Sequence, residues 1–341
     1  MKAIELQDDW RLENLRLTER PDPEPGPGQV VLAMRAASLN YRDYLMVQGG
    51  YGSRGGTLPL VPCSDGVGEV VAVGPGVTRV AVGDRVCPGF FQGWLAGQPN
   101  KADFATTLGG PLDGVMTELM LLSADGVTKV PAHLTDDEAA AFPCAGLTAW
   151  SALVTHGRIA PGDVVLVQGT GGVSLFALQF AKMAGARVIA TSSRDERLER
   201  LRALGADHVI NYRETPDWSK RAVELTGGRG VDLVVEVGGA ATLEQSIRAV
   251  RIGGEISMIG VLGGPKPGIN LPLVVMREVR LQGVTVGSRE GFEAMFRAVE
   301  SHGMRPVIDR RFAFDELVPA FEHMAAGRHF GKIVVAIPAM A

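Results

Sequence analysis

Val164-Val165-Leu166-Val167-Gln168-Gly169-Thr170-Gly171-Gly172-Val173-Ser174 runs from an apolar strand pattern through a glycine-rich turn into an amphipathic segment. Beyond the turn, Val173, Phe176, Ala177, Phe180 and Ala184 recur at helical spacing, so a helix is expected over 172–184. Strand, glycine turn and helix in this order are the context in which a helix N-terminus receives the phosphates of a dinucleotide. Gly169 permits the tight turn, and Gly171 lets backbone approach a pyrophosphate. Ser174 stands where a third glycine is usual, so the helix must pack closely over a small side chain.

Further strand-like runs follow at 187–191, 208–210, 233–237, 255–260 and 280–286, with helical or mixed segments between them. Strands joined by helices need right-handed crossovers and a sheet covered on both faces. The expected fold class is therefore α/β, with a doubly wound, parallel, six-stranded sheet. Upstream of about residue 130 the rhythm differs. Short apolar runs at 30–36, 68–73 and 115–122 stand between Gly, Pro and Asp, which reads as a β-rich, barrel-like domain. The stretch 21–28 holds four prolines and cannot be helix. Thr135, followed by Asp136, Asp137 and Glu138, caps an Ala-rich helix that extends to about 156, with Pro143 as a break or kink. After 288, helices at 290–301 and 315–326 and a strand at 332–337 are expected to return to the amino-terminal domain.

Composition narrows the function classes. The 34 basic and 38 acidic residues are evenly mixed, which argues against a nucleic-acid or membrane surface. No 18-residue apolar run and no signal-like start occur, so a cytoplasmic protein is expected. Cys63, Cys87 and Cys144 are too few and too uneven for a disulfide framework. The 44 glycines exceed ordinary usage in a chain that is 46% hydrophobic, so they belong inside a globular fold.

The second strand of the alternation ends Ile189-Ala190-Thr191-Ser192-Ser193-Arg194. A carboxylate at this end would accept from the ribose 2′-hydroxyl of NAD; hydroxyls and a guanidinium instead suit a 2′-phosphate, so NADP(H) is the expected cofactor. Arg194 also reads as a solvated charge opening the next helix, and both readings stand.

These residues resemble the medium-chain dehydrogenase/reductase superfamily over nearly the whole chain. The landmarks are Asn40-Tyr41-Arg42-Asp43, Asp65-Gly66-Val67-Gly68-Glu69-Val70, Gly83-Asp84-Arg85-Val86, the glycine turn, and Gly227-Gly228-Arg229-Gly230-Val231-Asp232. The resemblance implies a GroES-like catalytic domain from both chain ends, 1–145 and 288–341, a Rossmann domain at 146–287, and an active cleft at their junction. It also implies a cofactor set of Thr148, Gly169, Thr170, Gly171, Gly172, Val173, Ser192, Ser193, Arg194, Tyr212, Gly238, Gly260, Val261, Leu262, Gly287 and Ser288. Tyr212 alternatively caps the core. A homodimer through the last Rossmann strand, with its Val284-Thr285-Val286 edge, is implied as well.

Zinc-type members hold their catalytic metal at positions that the resemblance maps to Asn40, Ser64 and Cys144. Asn and Ser are poor zinc ligands, and 80–122 contains only Cys87 where a structural zinc needs four clustered cysteines, so no metal is expected. A rearranged site of Cys63, Cys144 and Asp65 stands as the alternative, opposed by Cys63 pointing away from Ser64 if the segment is extended. The zinc-free quinone oxidoreductases and enoyl reductases show an Asn, an adjacent aromatic and a later Tyr, here Asn40, Tyr41 and Tyr51. A quinone or enone accepts hydride without a Lewis acid because charge delocalises onto its oxygen, so hydrogen-bond donors suffice. Asn40 and Tyr51 are the expected donors, with Tyr51 able to pass a proton; Tyr41 either packs in the barrel or touches substrate. The loop 88–110, with Phe90, Phe91, Trp94 and Phe104, either closes over an apolar substrate or is pinned by its own aromatics. The expected function is zinc-independent, NADP(H)-dependent hydride transfer to a conjugated carbonyl. An alcohol/ketone dehydrogenase and a non-catalytic NADPH-binding protein are the alternatives.

Overall fold

A computed structural model of the 341-residue chain describes residues 1–51, 55–264 and 268–338. It divides into two compact units, Met1–Leu147 with Val286–Ala341, and Thr148–Thr285.

The second unit carries six parallel strands: β1 (Val164–Gln168), β2 (Arg187–Ser192), β3 (His208–Asn211), β4 (Val231–Glu236), β5 (Val250–Met258) and β6 (Arg280–Gly283), in the order β3-β2-β1-β4-β5-β6. The order reverses outward from β1, the topology in which ligands bind beyond the strand carboxyl ends at the switch point. β1 is buried along its whole length, as a central strand covered on both faces must be. Leu166, Ile189, Val234, Ile247 and Ile256 fill one core layer. The helix after β1, α1 (Gly172–Met183), buries Phe176, Ala177 and Phe180, in keeping with its spacing.

β6 ends at Gly283, short of the expected 286. Val284 and Val286 turn their side chains into buried positions, and Val286 has φ 52°, which breaks extended pairing. The edge that faces outward is therefore Arg280–Gly283, where Leu281 is 39% exposed.

In the first unit the described residues form a seven-stranded sheet: Ile308–Phe312, Lys332–Ala336, Gln29–Leu39, Asp65–Val73, Arg85–Pro88 and Val127–Lys129 in sequence, with Leu119–Ser123 also paired to Gln29–Leu39. The carboxyl-terminal segment thus returns to the amino-terminal strands, with Lys332–Ala336 laid antiparallel on Gln29–Leu39. The apolar run at 115–122 becomes regular strand only from Leu119; Thr117 makes an isolated bridge to Ala3. Leu32, Met34, Val86, Met116, Phe321 and Val335 share the core.

The Ala-rich stretch begins as a helix over Asp136–Ala140. Glu138 N donates to Thr135 Oγ1 at 3.3 Å, and Thr135 N donates to Glu138 Oε2 at 2.8 Å, a reciprocal cap. Pro143 does not stop the chain from coiling; it sits in the first turn of a π-helical segment, Phe142–Gly146. The wide turn accommodates a residue without an N–H donor and loosens the pairing around it.

Candidate functional site

In the first unit, sheet register sets Leu39 opposite Ile333 and Ser38 opposite Asp65. One step along the strands, Lys332 faces Asn40, and Ser64 comes beside them. All lie at one end of three neighbouring strands, within 9% exposure. Lys332 Nζ donates to Asn40 Oδ1 at 2.6 Å and to Leu39 O at 2.8 Å. Asn40 Nδ2 faces Ser64 Oγ at 3.5 Å, and Ser64 Oγ donates to Asp65 Oδ1 at 2.8 Å. Asp65 Oδ2 closes the circuit 3.9 Å from Lys332 Nζ and accepts from Cys144 N at 2.9 Å. Lys332, Asn40, Ser64 and Asp65 thus form a closed polar ring in the core. The Cys144 N–H reaches it because it lies in the π-helical segment that contains Pro143.

Burial costs a carboxylate most of its hydration, and the ring shows how that cost is met. Burial raises the Asp65 carboxyl above the usual range, while Lys332, the Asn40 side chain, Cys144 N and Ser64 pull it back down. Asp43 is also raised, to about 6, by burial, with Arg42 opposing and Asp65 adding to the shift. Asp43 accepts from Asn40 N at 2.8 Å and pairs with Arg42 Nη1 at 3.2 Å. Burial pushes the Cys63, Cys87 and Cys144 thiols upward.

Arg42 is a hub. It donates to Leu108 O at 3.0 Å and Gly110 O at 3.3 Å, and its guanidinium lies 5.5 Å from the Tyr51 ring and 5.0 Å from the Phe90 ring. Arg42, two positions along the chain from Asn40, thus lies against the Tyr51 ring. Tyr41, at the start of the helix Tyr41–Val47, is 45% exposed and is not packed inside a barrel. The aromatic loop is pinned by its own rings: Phe91 stands 5.2 Å from Phe104 and 5.8 Å from Trp94, and Arg289 N and Glu290 N donate to Trp94 O and Leu95 O. The self-pinned reading is the one observed.

The donor set does not fit zinc. Asn40 presents its carbonyl oxygen to an ammonium that would repel a dication, and Ser64 is committed to Asp65. Among the described residues no three His, Cys, Asp or Glu side chains are grouped to hold a metal ion, and that includes the rearranged set Cys63, Cys144 and Asp65. Cys63 has φ 70° and is not extended, so the expectation that an extended segment turns its side chain away from Ser64 does not hold. What removes Asp65 from it is the ring itself.

In the second unit the expected cofactor residues gather at the carboxyl ends of the strands. Gly169 has φ 73°, and nothing lies within 4 Å of where a Cβ would stand at Gly169 or Gly171, so the turn is open to a phosphate group. Thr170, Gly172 and Val173 complete it, and Ser174 Oγ donates to Gln168 O at 2.6 Å, tying α1 to β1 as a small third residue should. Ser192 ends β2 and is buried, Ser193 follows it, and Arg194 precedes the next helix, its side chain 51% exposed and 3.8 Å from Glu196. Tyr212, just after β3, donates its N–H to Ser192 O at 3.1 Å; its ring is exposed and does not cap the core. Gly238 follows β4, and Gly260, Val261 and Leu262 follow β5, both apolar side chains being more than half exposed. Thr148 is buried at the start of this unit, whereas Gly287 and Ser288 belong to the first, where Ser288 Oγ caps the helix Arg289–His302.

Behind these loops lies Glu236, fully buried at the end of β4. It accepts from Gln168 Nε2 at 2.8 Å, Gly238 N at 2.8 Å, Gly239 N at 3.0 Å, Thr242 Oγ1 at 2.5 Å, and also from Ser246 Oγ. Sequence reasoning missed both Glu236 and Lys332. A single Lys opening an otherwise apolar strand, with two aspartates buried in the motifs upstream, was the available signal for Lys332. A Glu ending an apolar strand was the signal for Glu236.

Two family models match: an alcohol dehydrogenase GroES-like domain over 26–132 and a zinc-binding dehydrogenase over 172–301. A zinc-type alcohol dehydrogenase-like protein of Schizosaccharomyces pombe is 43% identical over 319 residues, 91% of each chain. A putative alcohol dehydrogenase from Sinorhizobium meliloti 1021 superposes with a TM-score of 0.93 at 44% identity, covering 98% of each chain. A mycobacterial quinone oxidoreductase superposes with a TM-score of 0.82 at 29% identity, covering 99% of this chain and 100% of its own.

Proposed function

Because the chain belongs to the medium-chain dehydrogenase/reductase superfamily, we propose that this oxidoreductase is zinc-independent and NADP(H)-dependent, and delivers hydride to a quinone, an enone or a similar conjugated carbonyl. The single observation that carries the reading is the ring: of the three positions that match the family's zinc ligands, Cys144 keeps a ligand type, while the other two hold an amide bound to an ammonium and a hydroxyl bound to a carboxylate. A bound NADPH supplies the hydride. The chain's own residues then have three tasks.

The glycine turn and the N-terminus of α1 receive the pyrophosphate, with Ser192, Ser193 and Arg194 directed to a 2′-phosphate. Asn40 Nδ2 and the Tyr51 hydroxyl donate to the acceptor's oxygen, where negative charge develops. Tyr51, aligned by Arg42, passes the proton. Gly238, Gly260, Val261 and Leu262 shape the nicotinamide end, Thr148 adds a hydroxyl contact, and Tyr212 flanks the adenosine. Exposed Leu271, Val275 and Met276 beside the open edge of β6 suit a homodimer through that edge, and the acceptor is a small molecule.

The names of the yeast and rhizobial relatives favour a second reading, an alcohol dehydrogenase. One experiment separates the two: NADPH and NADH consumption is followed across quinones, enones, aldehydes and ketones, before and after dialysis against a strong chelator, with metal content measured. Turnover of a conjugated acceptor that survives chelation is expected. Stoichiometric zinc whose removal abolishes turnover would overturn the proposal, and NADPH binding without any turnover would favour a binding protein.

A further inference from the structure

The ring does more than occupy the metal positions. We infer that Lys332 is a positioning residue that fixes which face of the Asn40 carboxamide points to substrate. The inference rests on the hydride-transfer reading above.

A carboxamide is nearly symmetric in shape and opposite in polarity at its two ends: Oδ1 accepts and Nδ2 donates. An Asn in a buried pocket can rotate by half a turn about its last bond, at the cost only of the hydrogen bonds it makes. A donor that turns over half the time is a poor oxyanion partner, because preorganisation is what makes such a donor effective. Here the choice is settled by charge. Lys332 Nζ carries only donors and lies 2.6 Å from Oδ1, so the reversed amide would set N–H against N–H beside an ammonium. Lys332 is itself held: Leu39 O accepts at 2.8 Å, Asp65 stands 3.9 Å away, and the side chain is 3% exposed. Nδ2 faces Ser64 Oγ at 3.5 Å, at the long limit of a hydrogen bond, and also supports the Asp65 carboxyl, so an incoming oxygen is met by exchange of the long Ser64 contact.

The charge has a second effect. Asp65 and Asp43 place two carboxyl groups near a site where a further negative charge develops, and Lys332 is the cation that faces both: it lowers the affinity of each for protons. The ammonium therefore offers, from within the fold, the positive charge that a metal would bring to this end of the sheet, and it acts through the amide and not by touching substrate.

The test compares K332M, K332R and wild type. Active sites are counted by NADPH binding, which depends on the second unit and is expected to hold within twofold. Per NADPH-binding site, K332M should lower kcat for the best conjugated acceptor by a hundredfold or more with KM changed less than threefold, and K332R should restore kcat to within tenfold of wild type. That count is blind to the first unit, so the folded fraction of the first unit is read separately by limited proteolysis, and a merely structural lysine would lower kcat only in proportion to that fraction; kcat within threefold in K332M overturns the inference. An independent readout comes from protein labelled with 15N at asparagine, with the Asn40 side-chain pair assigned by N40D. That pair should move in K332M and return toward its wild-type position in K332R, and an unmoved pair overturns the inference. Where K332M does not fold, K332Q, which keeps a donor without the charge, carries the same two readouts. If wild type turns over no acceptor, the function reading fails by itself, and the Asn40 resonance still decides the role of Lys332.

Discussion

Asp43 Oδ2 accepts from the backbone N–H of Asn40 at 2.8 Å, so the helix cap and the carboxamide of the site hang on one buried carboxyl. Its affinity for protons makes the fold pH-dependent. The carboxyl is raised from 3.8 to about 6, so between those values the folded chain keeps a proton that the unfolded chain releases. Asp43 therefore favours folding most below pH 4, and that contribution is lost as pH rises through 6. A shift of about two units corresponds to on the order of 3 kcal/mol. The melting temperature of wild type minus that of D43N should fall from pH 4.5 to 7.5; a flat difference would mean that Asp43 is already ionised at the lower pH.

Glu236 is the acceptor on which two loops converge, and removal of it strands Gln168, Thr242, Ser246 and the amides of Gly238 and Gly239 in the core. E236A should cost on the order of 3–5 kcal/mol in urea unfolding, as loss of one side of a buried charged network does, and E236Q less. An E236A variant within 1 kcal/mol of wild type, on a scale where ordinary surface changes move stability by about ±0.5, would show that water replaces the carboxylate.

Cofactor choice is predicted at the end of β2. R194A should raise KM for NADPH about tenfold, the worth of one charge-assisted bond, and leave KM for NADH near its wild-type value. S192D should reverse the preference, since a carboxylate repels the 2′-phosphate and accepts from a 2′-hydroxyl. Steady-state kinetics with both cofactors decide this, and equal effects on the two would sink the assignment.

A fourth expectation concerns assembly. Met276 is 78% exposed and Val275 71% exposed, next to the edge strand β6. In sedimentation velocity wild type should run as a dimer and M276E as a monomer, while thermal stability of the second unit's sheet stays near wild type. A wild-type monomer at micromolar concentration would remove the expectation.

The second unit was legible because its signals are local. A run such as 164–174 carries strand, turn and helix within reach of one another, and Ser174 packs against Gln168 six residues away. The site in the first unit was legible only in part. Asn40 stood out by its motif, yet its partner Lys332 lies 292 positions further on, and only strand register brings the two together. Periodicity reports which face of a strand is apolar, and it carries no information on which distant strand lies alongside. The end of β6 was misjudged for a related reason: Val284 and Val286 alternate as strand residues do, while the backbone leaves the extended region at Val286.

The placement of Lys332–Ala336 against Gln29–Leu39 has a consequence for the making of the protein. A ribosome releases the nucleotide-binding sheet in full before it has synthesised the lysine that completes the ring, because that sheet ends at Gly283. A chain interrupted between these points carries the glycine turn and the strand ends proposed for the dinucleotide and leaves Asp65 and Asn40 without their cation. On the proposed reading such a fragment holds cofactor without reducing anything, and Asp65, left without its ammonium while Asp43 keeps Arg42, marks it as less stable, and so as an early target for degradation.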